Sequence, residues 1–382
     1  MIIVHMDFTG TYNEEMNYQE NILPRIHAED GHTVFFITTC YRWKENIEEK
    51  VPPCNKKISK GIILIRLPYK HFLTEYIDKK IRAVEKLYDL LNEISPDIIM
   101  IHCIQTFACY SVMKYIDDHP RVKLYVDSHT DYYNSAKNFF SKQILHKYFY
   151  KPIAQKLSKY VKTFLCCSYE AMFFLKKEYG ISEDKLEFYP LGGLIYCDDY
   201  YQRTRSTIRK ELGCADNTIL MVHSGKMNKN KKTVELVKAF HQIAVNDIML
   251  CLVGAMDDYV CNEIAKIIEI DKRIRYLGWK DGEVLSKYLC ACDVYCQPGT
   301  QSATMQNAAC CNCALMLFPY PSHTYIFGEN IPYYVKGVDE IKNVIAKIVA
   351  NPKDLEQKKR QVSNIAIERL NYRKLARRLY EE

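Results

Sequence analysis

Residues 295–317, YCQPGTQSATMQNAACCNCALML, decide how the chain is read. A short apolar strand ends at Pro298, and a helix of small residues starts within a few positions. In an α/β sheet the turn at a strand's carboxyl end opens the ligand crevice. The helix after it aims free backbone N–H groups and the positive end of its dipole into that crevice. Gly299 lets a ligand approach the backbone, while the hydroxyls of Thr300 and Ser302 can cap the helix or reach a phosphate oxygen. A capped core helix is the plain structural alternative for one such junction.

A second junction upstream weighs against that alternative. Residues 218–240, TILMVHSGKMNKNKKTVELVKAF, again give an apolar strand, a polar turn with Ser224 and Gly225, several lysines and a helix. Two phosphate-friendly turns in one half of the chain point to a nucleotide diphosphate. Lys226 and Lys231 would add compact positive charge to helix dipoles worth only about 0.3–1 kcal/mol each. The remaining lysines of this stretch read as a solvated face.

Together these residues resemble the retaining family 4 glycosyltransferases of the GT-B fold, whose second domain opens with a glycine, a basic residue, a hydrophobic residue, a spacer and a lysine. Gly225, Lys226, Met227 and Lys231 match that order. The resemblance continues through Leu252 to Gly254, YLGW at Tyr276 to Trp279, Asp293 to Pro298 and MQNA from Met305. In the first half it covers YQEN at Tyr18 to Asn21, DSH at Asp127 to His129, CCSYEA, and YPLGG at Tyr189 to Gly193. By this resemblance His129 contacts the donor sugar or positions the reacting groups, and Gly10 lies in the cleft loop of the first domain. The donor site comprises Gly225, Lys226, Lys231, Gly299, Thr300, Gln301, Ser302, Ala303, Thr304 and Gln306. The chain departs from the family in one respect: of its two glutamates spaced by seven residues, Gln306 replaces the second and the first is absent, in a shortened loop. Gln306 can still hydrogen-bond a ribose hydroxyl, and backbone groups around Thr300 to Ser302 would take over sugar contacts.

The expected architecture is α/β: GT-B, two Rossmann-like doubly wound parallel-sheet domains facing across a cleft. The domains are expected at residues 1–195 (acceptor) and 196–360 (nucleotide sugar), with a helix over 361–382 crossing back to the first. Strands are read at residues 2–5, 33–38, 62–66, 97–102, 123–127 and 163–168, and then in a second series that begins at Thr218 and continues at 249–254, 273–277, 294–297 and 314–318. One helical stripe is read from Leu73 through Ile77, Ile81, Val84, Leu87 and Leu91 to Ile94.

A length of 382 residues suits two cores. The excess of 53 Lys and Arg over 46 Asp and Glu gives +7, which suits anionic ligands or an anionic lipid surface but lacks the dense stripe of a nucleic-acid binder. No nucleic acid partner is expected. The 16 cysteines, without an export signal, point to a reducing compartment and a cytoplasmic enzyme at the inner face of the cell membrane. Cys310 and Cys313 have zinc-like spacing yet lie where small buried side chains are wanted, so no metal site and no cofactor are expected. Residues 137–162, from Lys137 to Lys162, hold seven lysines, no acidic residue and interleaved aromatics. This segment could rest on an anionic bilayer, with Pro152 interrupting its helix.

The function implied is transfer of a sugar, from a UDP-sugar by preference, to a glycan or polyprenyl-linked acceptor in cell-surface polysaccharide biosynthesis, with retention and without metal. The alternatives are a degenerate GT-B scaffold and a nucleotide-sugar epimerase.

Overall fold

A computed structural model describes residues 1–14, 16, 18–44, 47–59, 61–132, 135 and 141–381. The chain forms two compact units: Met1–Pro190 with Arg373–Glu382, and Leu191–Tyr372.

The first unit is built on strands β1 (Ile2–Asp7), β2 (Thr33–Thr39), β5 (Cys54–Ser59), β6 (Ile62–Leu67), β7 (Ile98–His102), β8 (Lys123–Ser128), β9 (Thr163–Cys166) and β10 (Leu186–Phe188), with a separate hairpin of β3 (Tyr41–Lys44) and β4 (Ile47–Lys50). Their order is β10-β9-β8-β7-β1-β2-β6-β5. All neighbours are parallel except β5 on β6, where a short connection permits only an antiparallel return. Ile3, Val4, Ile99, Met100 and Val126 are buried, as continuous apolar strands covered on both faces require.

The second unit carries β11 (Ile219–Ser224), β12 (Ile248–Val253), β13 (Ile274–Gly278), β14 (Val294–Gln297), β15 (Ala314–Leu317) and β16 (Tyr333–Tyr334), ordered β13-β12-β11-β14-β15-β16 and parallel throughout. Both sheets reverse direction of growth beside their first strand, at β1/β7 and at β11/β14, so each has a crevice at its strand carboxyl ends there. The architecture is the GT-B class of two Rossmann-like units.

Two local expectations are corrected. The apolar stripe from Leu73 is not one helix: Glu75–Ile81 and Leu87–Ile94 are separate, because Arg82 and Lys86 take left-handed backbone and Val84 bridges to Tyr69. Leu73 is exposed. Pro152 does not interrupt the helical path; it falls in the first turn of Lys151–Leu157, directly after the π-wound segment Ser141–Tyr150, where a missing N–H is tolerated. Lys137, Phe139 and Phe140 lie outside the described residues.

The polar stretch after Gly193 contains the helix Asp198–Glu211, which belongs to the second unit. At the other end, helix Pro352–Ile365, a π-wound turn Ala366–Leu370 and helix Tyr372–Glu381 follow in succession. The last helix packs on the first unit. Leu379 and Ala376 are buried, Tyr189 Oη donates to the Leu375 carbonyl at 2.7 Å, and Arg377 grips both oxygens of Asp30 at 2.9 Å. That guanidinium holds the Asp30 carboxyl down to about 2.

Candidate active site

In the second unit the two turns recognised in the sequence lie side by side at the β11/β14 reversal. Ser224 ends β11, and Gly225 follows with φ 118°, a backbone that favours glycine. Gln297 ends β14, and Gly299 passes so close to the first turn that a Cβ there would stand 2.2 Å from the Asn230 carbonyl oxygen. Thr300 N–H donates to that same carbonyl at 3.0 Å. Beneath the turns, Tyr295 and Ser224 hydroxyls meet at 3.0 Å, and burial pushes the Tyr295 phenol up to about 12.

Lys231 ties the turns together. It sits in the single helical turn Lys229–Lys231, with Nζ 4.0 Å from where a Cβ on Gly225 would be, and donates to the carbonyls of Thr300 at 3.2 Å and Gln301 at 3.4 Å. Its recorded partners are carbonyl dipoles, with no carboxylate among the described residues in ion-pair range. Burial lowers its ammonium from the ordinary lysine range to about 8. Lys226 is exposed and has no partner among the described residues. Gln297 is buried; its Oε1 accepts from Ser302 Oγ at 2.7 Å, while its Nε2 has no hydrogen-bond partner among the described residues. The crevice therefore presents donors and positive charge without a counter-charge, an arrangement that suits an anion.

Some expected roles change. Ser302 does not cap the following helix, because its hydroxyl is turned to Gln297; Ala303 occupies the cap position without a side-chain bond. That helix, Thr304–Cys310, is only seven residues long, so the lysines carry more of the charge complementarity than its dipole does. Gln306 is buried, and its Oε1 accepts from Gly192 N–H at 2.6 Å. Its Nε2, without a described partner, is the atom left to meet a ligand. Gly193 packs on the same helix, where a Cβ would come within 2.9 Å of Cys310 Sγ. The thiols of Cys310 and Cys313 point at the carbonyls of Leu370 and Leu289.

The first unit's crevice at β1/β7 is prepared differently. Gly10 is exposed with open space around it. His129 follows β8 with about a third of its side chain exposed, its Nε2 3.5 Å from Asp127 Oδ1. Burial acts to lower its imidazole, but Cys167 and Asp127 outweigh that and hold it well above the ordinary range. Asp127 also accepts from Cys103 N–H at 2.9 Å and from His102 Nδ1 at 2.5 Å. Asp7 accepts from the Thr9 backbone and hydroxyl, and Glu20, in the first turn of helix Gln19–Glu29, is raised by burial and by Asp7. Asp7 and Glu20 were not singled out in the sequence. Their signal was an acidic residue closing the first strand and another opening the next helix.

Comparison with known proteins agrees with this geometry. The glycosyl transferases group 1 family matches residues 204–368, and Glycosyltransferase Family 4 matches residues 24–192. The chain belongs to this glycosyltransferase family. Among solved structures it is similar to HepE from Anabaena in complex with UDP (14% identity, 100% of this chain and 99% of that one, TM-score 0.69). It is likewise similar to sucrose-phosphate synthase from Thermosynechococcus elongatus (13%, 100% and 98%, TM-score 0.71) and to WaaG, a glycosyltransferase involved in lipopolysaccharide biosynthesis (12%, 100% and 100%, TM-score 0.64). No curated protein matches the chain in sequence.

Proposed function

We propose that the chain transfers a sugar from a nucleotide diphosphate sugar, with UDP as the favoured carrier, to a hydroxyl of a glycan or lipid-linked oligosaccharide. The observation that carries this reading is Lys231, a half-buried cation whose only described partners are carbonyl dipoles, held between two glycine turns at a sheet reversal. As the anomeric bond breaks, negative charge grows on the departing diphosphate. Lys231 and Lys226 stabilise that charge more in the transition state than in the ground state, which accelerates the step. Lysine charge serves here in place of a metal ion, and retention at the anomeric carbon follows the family resemblance. HepE bound to UDP and to UDP-glucose supports the choice of carrier, and WaaG supports a cell-surface polysaccharide pathway.

The described part of residues 137–162 supports contact with an anionic membrane surface: Ile144, Tyr148 and Phe149 are exposed beside Lys147. No helix among the described residues is long and apolar enough to cross a membrane. A peripheral position on the inner face of the cell membrane fits both.

Asp7 and Glu20 give the epimerase alternative more support than the sequence did, since that reaction needs crevice carboxyls. A thermal-shift screen with UDP, GDP, ADP and their sugar conjugates tests the main reading. A shift with UDP that Lys231→Met abolishes is the expected result. Absence of any nucleotide response would favour the degenerate scaffold, and isomerised sugar nucleotide in an acceptor-free incubation would favour the epimerase.

A further inference from the structure

Three histidines and one aspartate form an unbroken hydrogen-bonded chain through the first unit, and a fourth histidine, His129, ion-pairs with its end. His27 Nε2 lies 3.0 Å from the Ala376 carbonyl of the last helix. His27 Nδ1 lies 3.0 Å from His5 Nε2, and His5 Nδ1 lies 3.0 Å from His102 Nε2. His102 Nδ1 reaches Asp127 Oδ2, and the other oxygen of Asp127 faces His129. His5 and His27 are fully buried, His102 and Asp127 nearly so. The Phe36 ring stacks on His5 and His102, closing one side to water.

Hydrogen-bond bookkeeping requires one extra proton among the three histidines of this chain, and burial of His27 and His5 with Asp127 beside His102 places it. A carbonyl oxygen only accepts, so His27 Nε2 carries the proton in its bond to Ala376. A neutral His27 then accepts at Nδ1, which requires the proton on His5 Nε2. A neutral His5 accepts at Nδ1, which requires the proton on His102 Nε2. His102 Nδ1 faces a carboxylate and also needs a proton. His102 is thus protonated on both nitrogens. It becomes neutral only if a bond breaks, if the extra proton moves onto the deeply buried His5 or His27, or if Asp127 takes the Nδ1 proton; reversing the whole chain would leave two lone pairs facing each other at Ala376. Burial agrees, holding His27 down to about 4 and His5 well below the ordinary range.

We propose that His102 is a standing imidazolium, fixed in that state by the one-way chain rooted at the Ala376 carbonyl, and that it is the positioning residue for Asp127 and through it for His129. The charged and titratable groups around His102 are Asp127 on β8, His5 and Asp7 on β1, and Glu20 on the helix Gln19–Glu29, with His129 beyond Asp127. Burial alone would lower His102, but Asp127, Glu20 and Asp7 reverse the shift. An imidazolium behind Asp127 keeps that carboxylate ionised and limits its rotation, so His129 meets a fixed acceptor at the crevice. The role of His129 in transfer rests on the glycosyltransferase reading; the protonation state of His102 does not.

The test is a long-range proton–nitrogen NMR correlation on the full chain with 15N-labelled histidine. His102 should show both ring nitrogens protonated at pH values above the ordinary imidazole range, where a free histidine is neutral, with His5 and His27 as Nε2–H tautomers. In His5→Met, His102 loses its acceptor and should become neutral at those pH values, while His5→Gln, able to accept from His102 and donate to His27, should keep it charged. A neutral His102 in the unaltered protein near pH 7 would overturn the proposal without needing any variant. For positioning, His102→Gln should lower kcat about tenfold with KM for the nucleotide sugar unchanged; an unchanged kcat would sink that part. UDP binding, and its loss in Lys231→Met, tests the glycosyltransferase reading separately, since Lys231 lies outside the histidine chain.

Discussion

The two crevices occupy the same position in the same kind of sheet, yet their electrostatics are opposite. At β1/β7 the charges are already matched: Asp127 is held by His102, His129 and the Cys103 N–H, and the histidines behind it are linked to a backbone carbonyl. At β11/β14 the charge is left unmatched, with Lys231 on carbonyls and with Lys226 and Gln297 Nε2 both without a partner among the described residues. A self-satisfied site holds its geometry in the absence of ligand. An unsatisfied one gains most when a complementary ligand arrives. Position in the fold makes a crevice, and the residues decide whether it waits for a partner or presents a finished device.

The largest expected effect separates the two in stability. Asp127→Ala strips a buried imidazolium of its counter-charge and should destabilise the first unit by about 3–5 kcal/mol, measured by denaturant unfolding. Lys231→Met, by contrast, removes an unmatched half-buried charge and should not lower stability in the absence of nucleotide. Equal losses in both variants would erase the comparison.

The next effect is on binding. Lys231→Met should weaken UDP by about 1.5–3 kcal/mol in calorimetric titration, the range for hydrogen bonds to charged groups. With its ammonium lowered to about 8, Lys231 loses its proton as pH rises through that value. UDP affinity should therefore be full below it, fall above it, and show no such fall in the variant. The sign for stability is the reverse: above about 8 the unfolded chain binds this proton and the folded one does not, so this group's penalty is relieved as pH rises.

The smallest effect concerns shape. Gly299→Ala places a Cβ against the Asn230 carbonyl and should cost about 1–3 kcal/mol of stability, with UDP affinity falling in step because Lys231 shares that loop. Tolerance of alanine with unchanged affinity would show that the two turns need not be held so closely.

Much of the second crevice was legible because its elements are local. Gly225, Lys231 and Gly299 stand in short strand–turn–helix segments whose composition shows the turn. The cap at Ser302 misread for want of one contact, its bond to Gln297, which no spacing reveals. In the first unit, His129 was read from resemblance, but His5 and His27 looked like ordinary residues of a strand and a helix. The 73–94 stripe failed similarly, since apolar spacing continues across the left-handed residues Arg82 and Lys86 that divide it.

The sequence by itself determined the alternation of strands and helices and the two glycine turns, one of them with lysines, because hydrophobic period and turn chemistry act over a few residues; the GT-B class came from family resemblance. Tertiary structure alone decided that those turns meet at one sheet reversal, and that His27, His5, His102 and Asp127 align with Ala376. Those contacts join positions up to 349 residues apart. Their partners are chosen by strand order and helix docking, which bring together side chains that carry no mark of one another in the chain.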